Sequence, residues 1–158
     1  MDNKKIPDRK RHKAMHSCKV AGVSLIEVMV SLVILSVGLL GVAAMQLKAL
    51  RNNMSAGERS MAVIQVYSIL DAMRSNVTVA RNGGYSYARS ATCEAPSGTA
   101  QADKDLQQWI SAIHQDLGES ACGNISCLNG RCTIRVFWND SRGSGGSDEQ
   151  FVQIGAVL

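Results

Sequence analysis

A long apolar stretch near the start of the chain is the first element that the hydropathy pattern predicts. The 20 residues 28–47 carry no charged side chain. As a helix they would span roughly 30 Å at about 1.5 Å per residue, which is the hydrocarbon thickness of a bilayer. A helix that is apolar on every face must lie in lipid or among other helices. The pattern therefore predicts a membrane-spanning helix.

The helical period continues past this stretch without a proline. Apolar residues recur at steps of three and four from Leu47 to Val77, which predicts one helix over about residues 24–79. Its first half is apolar all round, and its second half is amphipathic and is expected to pack under a folded domain. Residues 81–84 contain two glycines and are the predicted helix stop.

A short helix and a small sheet are predicted after the long helix. Apolar residues share one helical face between Asp103 and Leu117. Residues 131–138 alternate between apolar and polar, and residues 151–157 are predicted to be a closing strand after a flexible link at 141–147. We therefore expect an α+β protein, with a long N-terminal helix packed on a small antiparallel β-sheet. The residues predicted to face its core are Leu106, Trp109, Ile110, Ile113 and Leu117 from the short helix and Cys132, Ile134, Val136 and Trp138 from the strand.

The segment before the apolar stretch is strongly basic. Residues 1–22 hold seven of the 17 basic residues and two of the 13 acidic ones, and a basic flank stays on the cytoplasmic side of a membrane. The chain is therefore expected to keep its N-terminus inside, with everything after Lys48 on the far side. A secretory signal has the same charge order but would be cut after the apolar core, where residues 38–44 offer small side chains.

A single carboxylate, Glu27, lies at the beginning of the apolar stretch. An unpaired ionised group in a bilayer centre costs roughly 2.5 to 3.5 kcal/mol or more, and an ordinary signal core has no use for it. Together with Gly22 and the apolar run it resembles a class III signal, the consensus of type IV pilins and pseudopilins, with Gly22 at −1 and Glu27 at +5. One departure is Val23, which stands where the family usually has Phe or Met.

That resemblance implies processing by a prepilin peptidase, which cuts between Gly22 and Val23 and methylates the new N-terminus at Val23. Cleavage would create an α-amino group that is cationic near neutral pH, and methylation keeps it cationic. Because Val23 and Glu27 are expected to be i,i+4 neighbours on the helix, an intrachain pair competes with a pair between subunits. The resemblance implies that the pair between subunits is the one used in assembly. A carboxylate that reaches the headgroups from the helix end is the alternative.

Cleavage after Gly22 also changes the charge balance. It leaves 10 basic and 11 acidic residues, so that the net charge falls from +4 to −1. A nucleic-acid partner then loses its main support, because phosphate binding needs clustered Lys and Arg. Arg131, Arg135 and Arg142 could form a local patch, but Asp140 lies among them. No nucleic-acid partner is expected.

The cysteines are divided by the same boundary. The chain has five, and cleavage removes Cys18, which leaves an even number in a compartment where disulfides form. Four cysteines allow three pairings. Asn129 and Gly130, between Cys127 and Cys132, are the strongest short hairpin signal and need positive φ at both positions of a type I′ turn. The two cysteines then face each other within disulfide reach. The predicted disulfides are Cys127–Cys132 and, with the remaining two, Cys93–Cys122.

The order of elements resembles the type IV pilus modification proteins of the PilV type over most of residues 22–140. The resemblance rests on the runs at 39–46 and 71–76, on residues 105–109 and on the Cys-flanked hairpin with strand 132–138. It implies a non-enzymatic minor pilin that helps prime filament assembly and is incorporated into the pilus. Its implied partners are the prepilin peptidase, other minor pilins, the major pilin, the inner-membrane assembly platform and, before assembly, membrane lipid.

This assignment divides the chain into four segments. They are a leader at 1–22, a transmembrane and assembly half-helix at 23–47, an amphipathic half-helix at 48–80 and a periplasmic globular domain at 81–158. The chain is thus expected in the bacterial inner membrane as a single-pass protein, and then in the filament on the cell surface. A start at Met15 instead of Met1 would shorten the leader and leave the mature chain unchanged.

Two other functions remain open from the sequence. A minor pseudopilin of type II secretion would share the leader and the helix. A binding pilin at the filament tip would share the same anchor and would need an exposed aromatic or basic face, for which Tyr85 and Tyr87 are the candidates.

Enzymatic, cofactor and metal functions are not expected. The mature chain has one histidine, His114, and no H-E-x-x-H, P-loop or G-x-S-x-G pattern. The C-x4-C spacing of the hairpin therefore lacks partners for a metal site. His114 is expected at the surface or at the edge of the core. The carboxylates of Asp103, Asp105, Asp116 and Glu119 are expected to form a solvated face.

Overall fold

The computed structural model of the chain describes residues 22–158. The predicted leader lies outside the described residues apart from Gly22, and so do Cys18 and the alternative start Met15. The chain forms two compact units, one ending at Leu40 and the other covering Gly41–Leu158.

The first helix, α1, runs from Leu25 to Ser75 and has 51 residues. It begins where the carbonyl of Ser24 accepts the backbone N–H groups of Glu27 and Val28 at 3.0 and 3.2 Å. Within the described residues, α1 is the one helix long and apolar enough to cross a membrane, with a mean hydropathy of 2.5 over its most apolar 18 residues. None of that window is buried. A surface of this kind needs lipid or other helices around it.

The long helix ends earlier than the sequence predicts. α1 stops at Ser75, and a five-residue helix, α2, follows at Val77–Arg81. The break lies at Asn76, whose backbone leaves the helical region with φ −127° and ψ 51°. The Asn76 amide also donates to the hydroxyl of Tyr85 at 3.4 Å, and asparagine has a low intrinsic helix propensity. The expectation of one unbroken helix to about residue 79 is therefore wrong. The stop at residues 81–84 is confirmed, with Gly83 at φ +80°.

The distal part of α1 and a third helix supply much of the core of the second unit. Helix α3 covers Gln101–Leu117 and has 17 residues. Its indole at Trp109 donates to the backbone carbonyl of Gln65 on α1 at 2.8 Å. The buried residues of α1 are Ala62, Gln65, Val66, Ile69, Leu70 and Met73, which recur at helical steps. All five predicted core residues of α3 are buried, namely Leu106, Trp109, Ile110, Ile113 and Leu117.

Three antiparallel strands complete the second unit. They are β1 at Cys122–Leu128, β2 at Arg131–Trp138 and β3 at Gln150–Val157, in the spatial order β1-β2-β3. The predicted inward face of β2 is confirmed, because Cys132, Ile134, Val136 and Trp138 are all buried. The β1–β2 turn is also as predicted, with Asn129 at φ 50° and Gly130 at φ 74°. The fold is thus α+β, a long helix packed on a small antiparallel sheet.

Candidate assembly site

The predicted cleavage point lies just before α1, outside regular secondary structure. Gly22 and Val23 are exposed and precede the helix, which begins at Leu25. A protease needs an accessible chain outside regular structure, and a cut here would leave every hydrogen bond of α1 in place. The site is therefore accessible in the described chain without any unfolding of the helix.

Glu27 lies in the first turn of α1 and its side chain is exposed. The positive end of the helix dipole favours a carboxylate at this place. The expected helical i,i+4 relation of Val23 to Glu27 is wrong, however, because Val23 lies outside the helix. Glu27 thus lies in the helix, whereas the residue that would carry the new terminus lies before it.

The hydroxyl groups within the apolar part of α1 are satisfied by their own helix. Ser31 donates to the carbonyl of Glu27 and Ser36 to that of Leu32, each at 2.7 Å. Such bonds to the carbonyl four residues back remove the cost of an unpaired hydroxyl in lipid or in a helix bundle. Among residues 22–47, Glu27 is the one side chain that carries a charge near neutral pH.

Two disulfides hold the second unit together, and they are the two pairs that the sequence predicts. Cys127 pairs with Cys132 across the β1–β2 ladder, with the Cα atoms 4.1 Å apart. Cys93 pairs with Cys122 over a Cα distance of 5.6 Å. The second bond ties the segment between α2 and α3 to the beginning of β1. Both lie beyond residue 48, on the side expected to be oxidising.

Tyr85 is a core residue and not part of an exposed aromatic face. It is fully buried, and its hydroxyl donates to the carboxylate of Asp105. Burial, and then this bond to Asp105, raises the pKa of Tyr85 from 10.0 to about 12. Asp105 is half-buried and accepts a second bond from Gln101 at 2.7 Å. The prediction that Asp105 belongs to a solvated face is therefore wrong.

Tyr87 is also held within the fold by hydrogen bonds. Its backbone exchanges hydrogen bonds with Ile125 at 2.8 and 2.9 Å, and its hydroxyl donates to the carbonyl of Glu94 at 2.8 Å. Burial, and then the charge of Glu94, raises the pKa of Tyr87. Neither tyrosine is thus available as the adhesive residue that a tip-located binding pilin would need.

An aromatic cluster that the sequence analysis missed lies on the outer face of the sheet. Phe137 and Phe151 face each other across β2 and β3 with ring centroids 5.6 Å apart, and Phe151 is 53% exposed. The Arg89 guanidinium lies 4.5 Å from the Phe137 ring centre and pairs with Glu149 at 2.6 Å. Alternation in β2 could have revealed Phe137, because it places this ring opposite the inward Val136 and Trp138.

The segment predicted to be a flexible link is a hydrogen-bonded loop built around Asp140. The Asp140 side chain is 7% exposed and accepts the hydroxyl of Ser55 from α1. Its backbone N–H donates to Ser147 at 2.9 Å, and its carbonyl accepts the N–H of Gly143 at 2.9 Å. A side chain at Gly146 would collide with the Asp140 carbonyl. The hydrogen bond from Ser55 thus holds the loop against α1. The prediction of a flexible link at residues 141–147 is wrong.

The basic residues considered as a patch are not brought together. Arg131 and Arg135 belong to β2, where Arg135 donates to the side chain of Gln153. Arg142 lies in the loop and pairs with Glu58 of α1 at 3.4 Å. No group of three or more His, Cys, Asp or Glu side chains that could hold a metal is found among residues 22–158. His114 lies at the edge of the core with its side chain 22% exposed, and its Nδ1 is 3.9 Å from Glu119.

Comparison with known proteins supplies one match. A family described as the prokaryotic N-terminal methylation motif matches residues 18–43. No curated protein and no solved structure matches the chain. The matched residues contain the predicted cleavage point, Glu27 and most of the apolar part of α1. The motif implies processing by a prepilin peptidase and suits anchoring in the inner membrane before assembly with other pilins. It supports a structural subunit of the type IV pilin family, which includes the pseudopilins.

Proposed function

We propose that this chain is a minor pilin of a type IV pilus, a non-enzymatic subunit that helps prime filament assembly and enters the filament in few copies. The observation that carries the proposal is the place of Glu27. It is the one acid in the first turn of a helix whose next turns are uncharged, within the residues that match the methylation motif. In lipid or in a helix bundle, a cation that reaches this carboxylate would remove the cost of leaving it unpaired.

The cation is supplied by leader cleavage. A cut between Gly22 and Val23 frees an α-amino group at Val23, and methylation leaves it charged. Since Val23 lies outside α1, its amine is not held in the i,i+4 position over its own Glu27. The amine of an incoming subunit can then neutralise the Glu27 of the subunit already in place. Pairing removes a cost of roughly 2.5 to 3.5 kcal/mol for an unpaired charge in lipid.

The apolar surface of α1 contributes to assembly through helix packing. Large apolar side chains from Val23 to Leu47 are between 46% and 78% exposed. In the membrane lipid covers them, and in a filament neighbouring helices cover them. Lipid tails and helix surfaces are similarly apolar, so packing and the charge pair decide the transfer between the two. This is why one carboxylate can control incorporation.

The domain boundaries follow from this arrangement. Residues 1–22 are the leader, 23–47 the membrane and assembly segment that includes the first part of α1, 48–80 the amphipathic segment that holds the rest of α1 and most of α2, and 81–158 the periplasmic domain. The N-terminus faces the cytoplasm because of the basic leader. The proposed partners are the prepilin peptidase, other minor pilins, the major pilin and the assembly platform of the inner membrane.

The experiment is a count of this chain in sheared filaments, combined with a deletion of its gene. We expect the mature chain, beginning at Val23, at a small fraction of the abundance of the main subunit, and fewer filaments in the deletion strain. An abundance equal to that of the main subunit would make it a major pilin. Normal piliation in the deletion strain together with a secretion defect would make it a pseudopilin of type II secretion.

A further inference from the structure

The outer edge of β3 is unprotected. β3 is the last strand of the β1-β2-β3 sheet, and within the described residues no strand or bridge pairs with its second edge. It has eight residues, Gln150–Val157, and contains no charge and no proline. Natural sheets usually blunt such edges with lysines, prolines, bulges, very short strands or a covering segment. The opposite edge of the sheet follows that rule in part, because Tyr87 bridges Ile125 of β1.

The backbone groups on this edge can be identified from one hydrogen bond. The N–H of Leu158 donates to the carbonyl of Gly130 at 2.9 Å, so the backbone N–H of residue 158 is directed toward β2. The backbone N–H and C=O groups of successive residues are directed to opposite edges of a strand. The even-numbered residues of β3 therefore also form hydrogen bonds with β2. The odd-numbered residues Phe151, Gln153, Gly155 and Val157 then direct their N–H and C=O groups to the open edge.

Side chains on both faces of β3 are incompletely covered. Val152, Ile154 and Ala156 pack against the core but remain only half-buried, although they continue the inward face of the sheet. On the outer face Phe151 is 53% exposed and Val157 is 79% exposed. One further strand beside β3 would cover these side chains and would pair the open backbone groups in the same step.

We propose that this strand is β3 of a second copy of the chain, paired antiparallel about a twofold axis that passes between the two Ile154 residues. This register places Phe151 opposite Val157 of the other copy and Gln153 opposite Gly155. All four odd-numbered residues of each copy then lie in hydrogen-bonded pairs, which exchange two bonds each. The even-numbered residues fall in the non-bonded pairs between them.

The strand is complementary to itself in this register. The larger side chain faces the smaller one at Gln153 with Gly155 and at Val152 with Ala156, so the faces close without crowding. No charged side chain lies on β3 in either copy, so no like charges oppose each other, which would disfavour the pair. An isologous contact of this type closes on itself and yields a dimer with one continuous six-stranded sheet.

The test is a register-specific cross-link in the full chain, recovered from the membrane in detergent micelles, where two copies can meet in any orientation. Chains with Gln153→Cys are mixed with chains with Gly155→Cys and are oxidised. Gly155 tolerates a side chain, because nothing lies within 4 Å of its Cβ position and its φ is not positive. We expect severalfold more covalent dimer in the mixture than in either variant alone, since like positions lie on the diagonal at roughly 7–8 Å.

Two controls fix the interpretation. Chains with Ser126→Cys carry an exposed thiol on β1, away from the edge, and report random collision. A second mixture, Phe151→Cys with Val157→Cys, is tested with Gln153→Pro or Gln153→Thr added to both chains. Proline removes an outward N–H, which an edge strand tolerates, and should abolish the cross-link, whereas threonine should keep it. A mixture that cross-links no better than Ser126→Cys, or a proline variant that cross-links normally, would overturn the proposal.

Discussion

Gly123 of β1 lies directly beneath the indole ring of Trp109, so close that a Cβ at this position would overlap the ring. The same indole donates its N–H to the carbonyl of Gln65 at 2.8 Å. One ring thus joins α1, α3 and β1, the three elements that build the core of the second unit.

Gly123→Ala should destabilise this unit, because the ring cannot move without losing its bond to Gln65. Overpacking of this type costs about 1 to 3 kcal/mol. Urea unfolding followed by tryptophan fluorescence measures the effect, since both tryptophans of the chain, Trp109 and Trp138, are buried in this core. Gly155→Ala is the matched control, with open space at its Cβ, and equal stabilities for the two variants would show that the ring is not constrained.

The Tyr85–Asp105 bond predicts a stability that depends on alkaline pH. The pKa of Tyr85 is about 12 in the fold against an ordinary 10.0, so the folded state holds the phenolic proton more tightly than the unfolded state. The stabilisation is complete below pH 10 and is lost as the pH rises toward 12. We expect Tyr85→Phe to flatten this part of the pH profile of unfolding and to cost about 1 kcal/mol below pH 10. A wild-type slope in that variant would contradict the assignment.

The two disulfides should differ in what their removal costs. Cys93–Cys122 closes a separation of 29 residues and Cys127–Cys132 one of five. Chain entropy gives about 3.6 kcal/mol for the first and about 2 kcal/mol for the second. Paired Cys→Ala variants of each bond, compared by urea unfolding, test this order. A larger loss at Cys127–Cys132 would mean that loop-closure entropy does not set the order.

The Ser55–Asp140 bond is expected to hold the loop after β2 against α1. Ser55→Ala leaves a nearly buried carboxylate without its hydroxyl donor, at a cost of about 1.5 to 3 kcal/mol. Hydrogen exchange at the Asp140 amide, which is bonded to Ser147, should become faster. Ser60→Ala is the control, because Ser60 bonds only within its own helix. Unchanged protection at Asp140 would show that the loop is held by its own bonds alone.

Elements could be predicted from the sequence where the local pattern of apolar and turn residues agrees with the packing. The alternation of β2, the hairpin at Asn129 and Gly130 and the apolar face of α3 follow from period and turn chemistry, and the structure has them as predicted. In the candidate assembly site, Gly22, Glu27 and the apolar run lie close together in the sequence. Their arrangement could therefore also be predicted from the sequence.

The features that the sequence did not reveal depend on contacts between distant residues. The helix break at Asn76 and the burial of Tyr85 arise from one cluster, in which Asn76 and Asp105 meet across 29 positions at a single hydroxyl. The loop around Asp140 is closed by Ser55, which is 85 positions away. No periodicity in either segment encodes such a partner.

Incorporation of a Glu27 variant into filaments tests the central claim most directly. Glu27→Gln keeps the size of the side chain and removes its charge, and Glu27→Asp keeps the charge as the matched control. Intact mass of the membrane-bound chain checks that each variant is cleaved to begin at Val23. The account predicts that Glu27→Gln is cleaved yet strongly depleted from sheared filaments, whereas Glu27→Asp is recovered in greater amount. Recovery of cleaved Glu27→Gln at the wild-type level, with normal filament numbers, would contradict it.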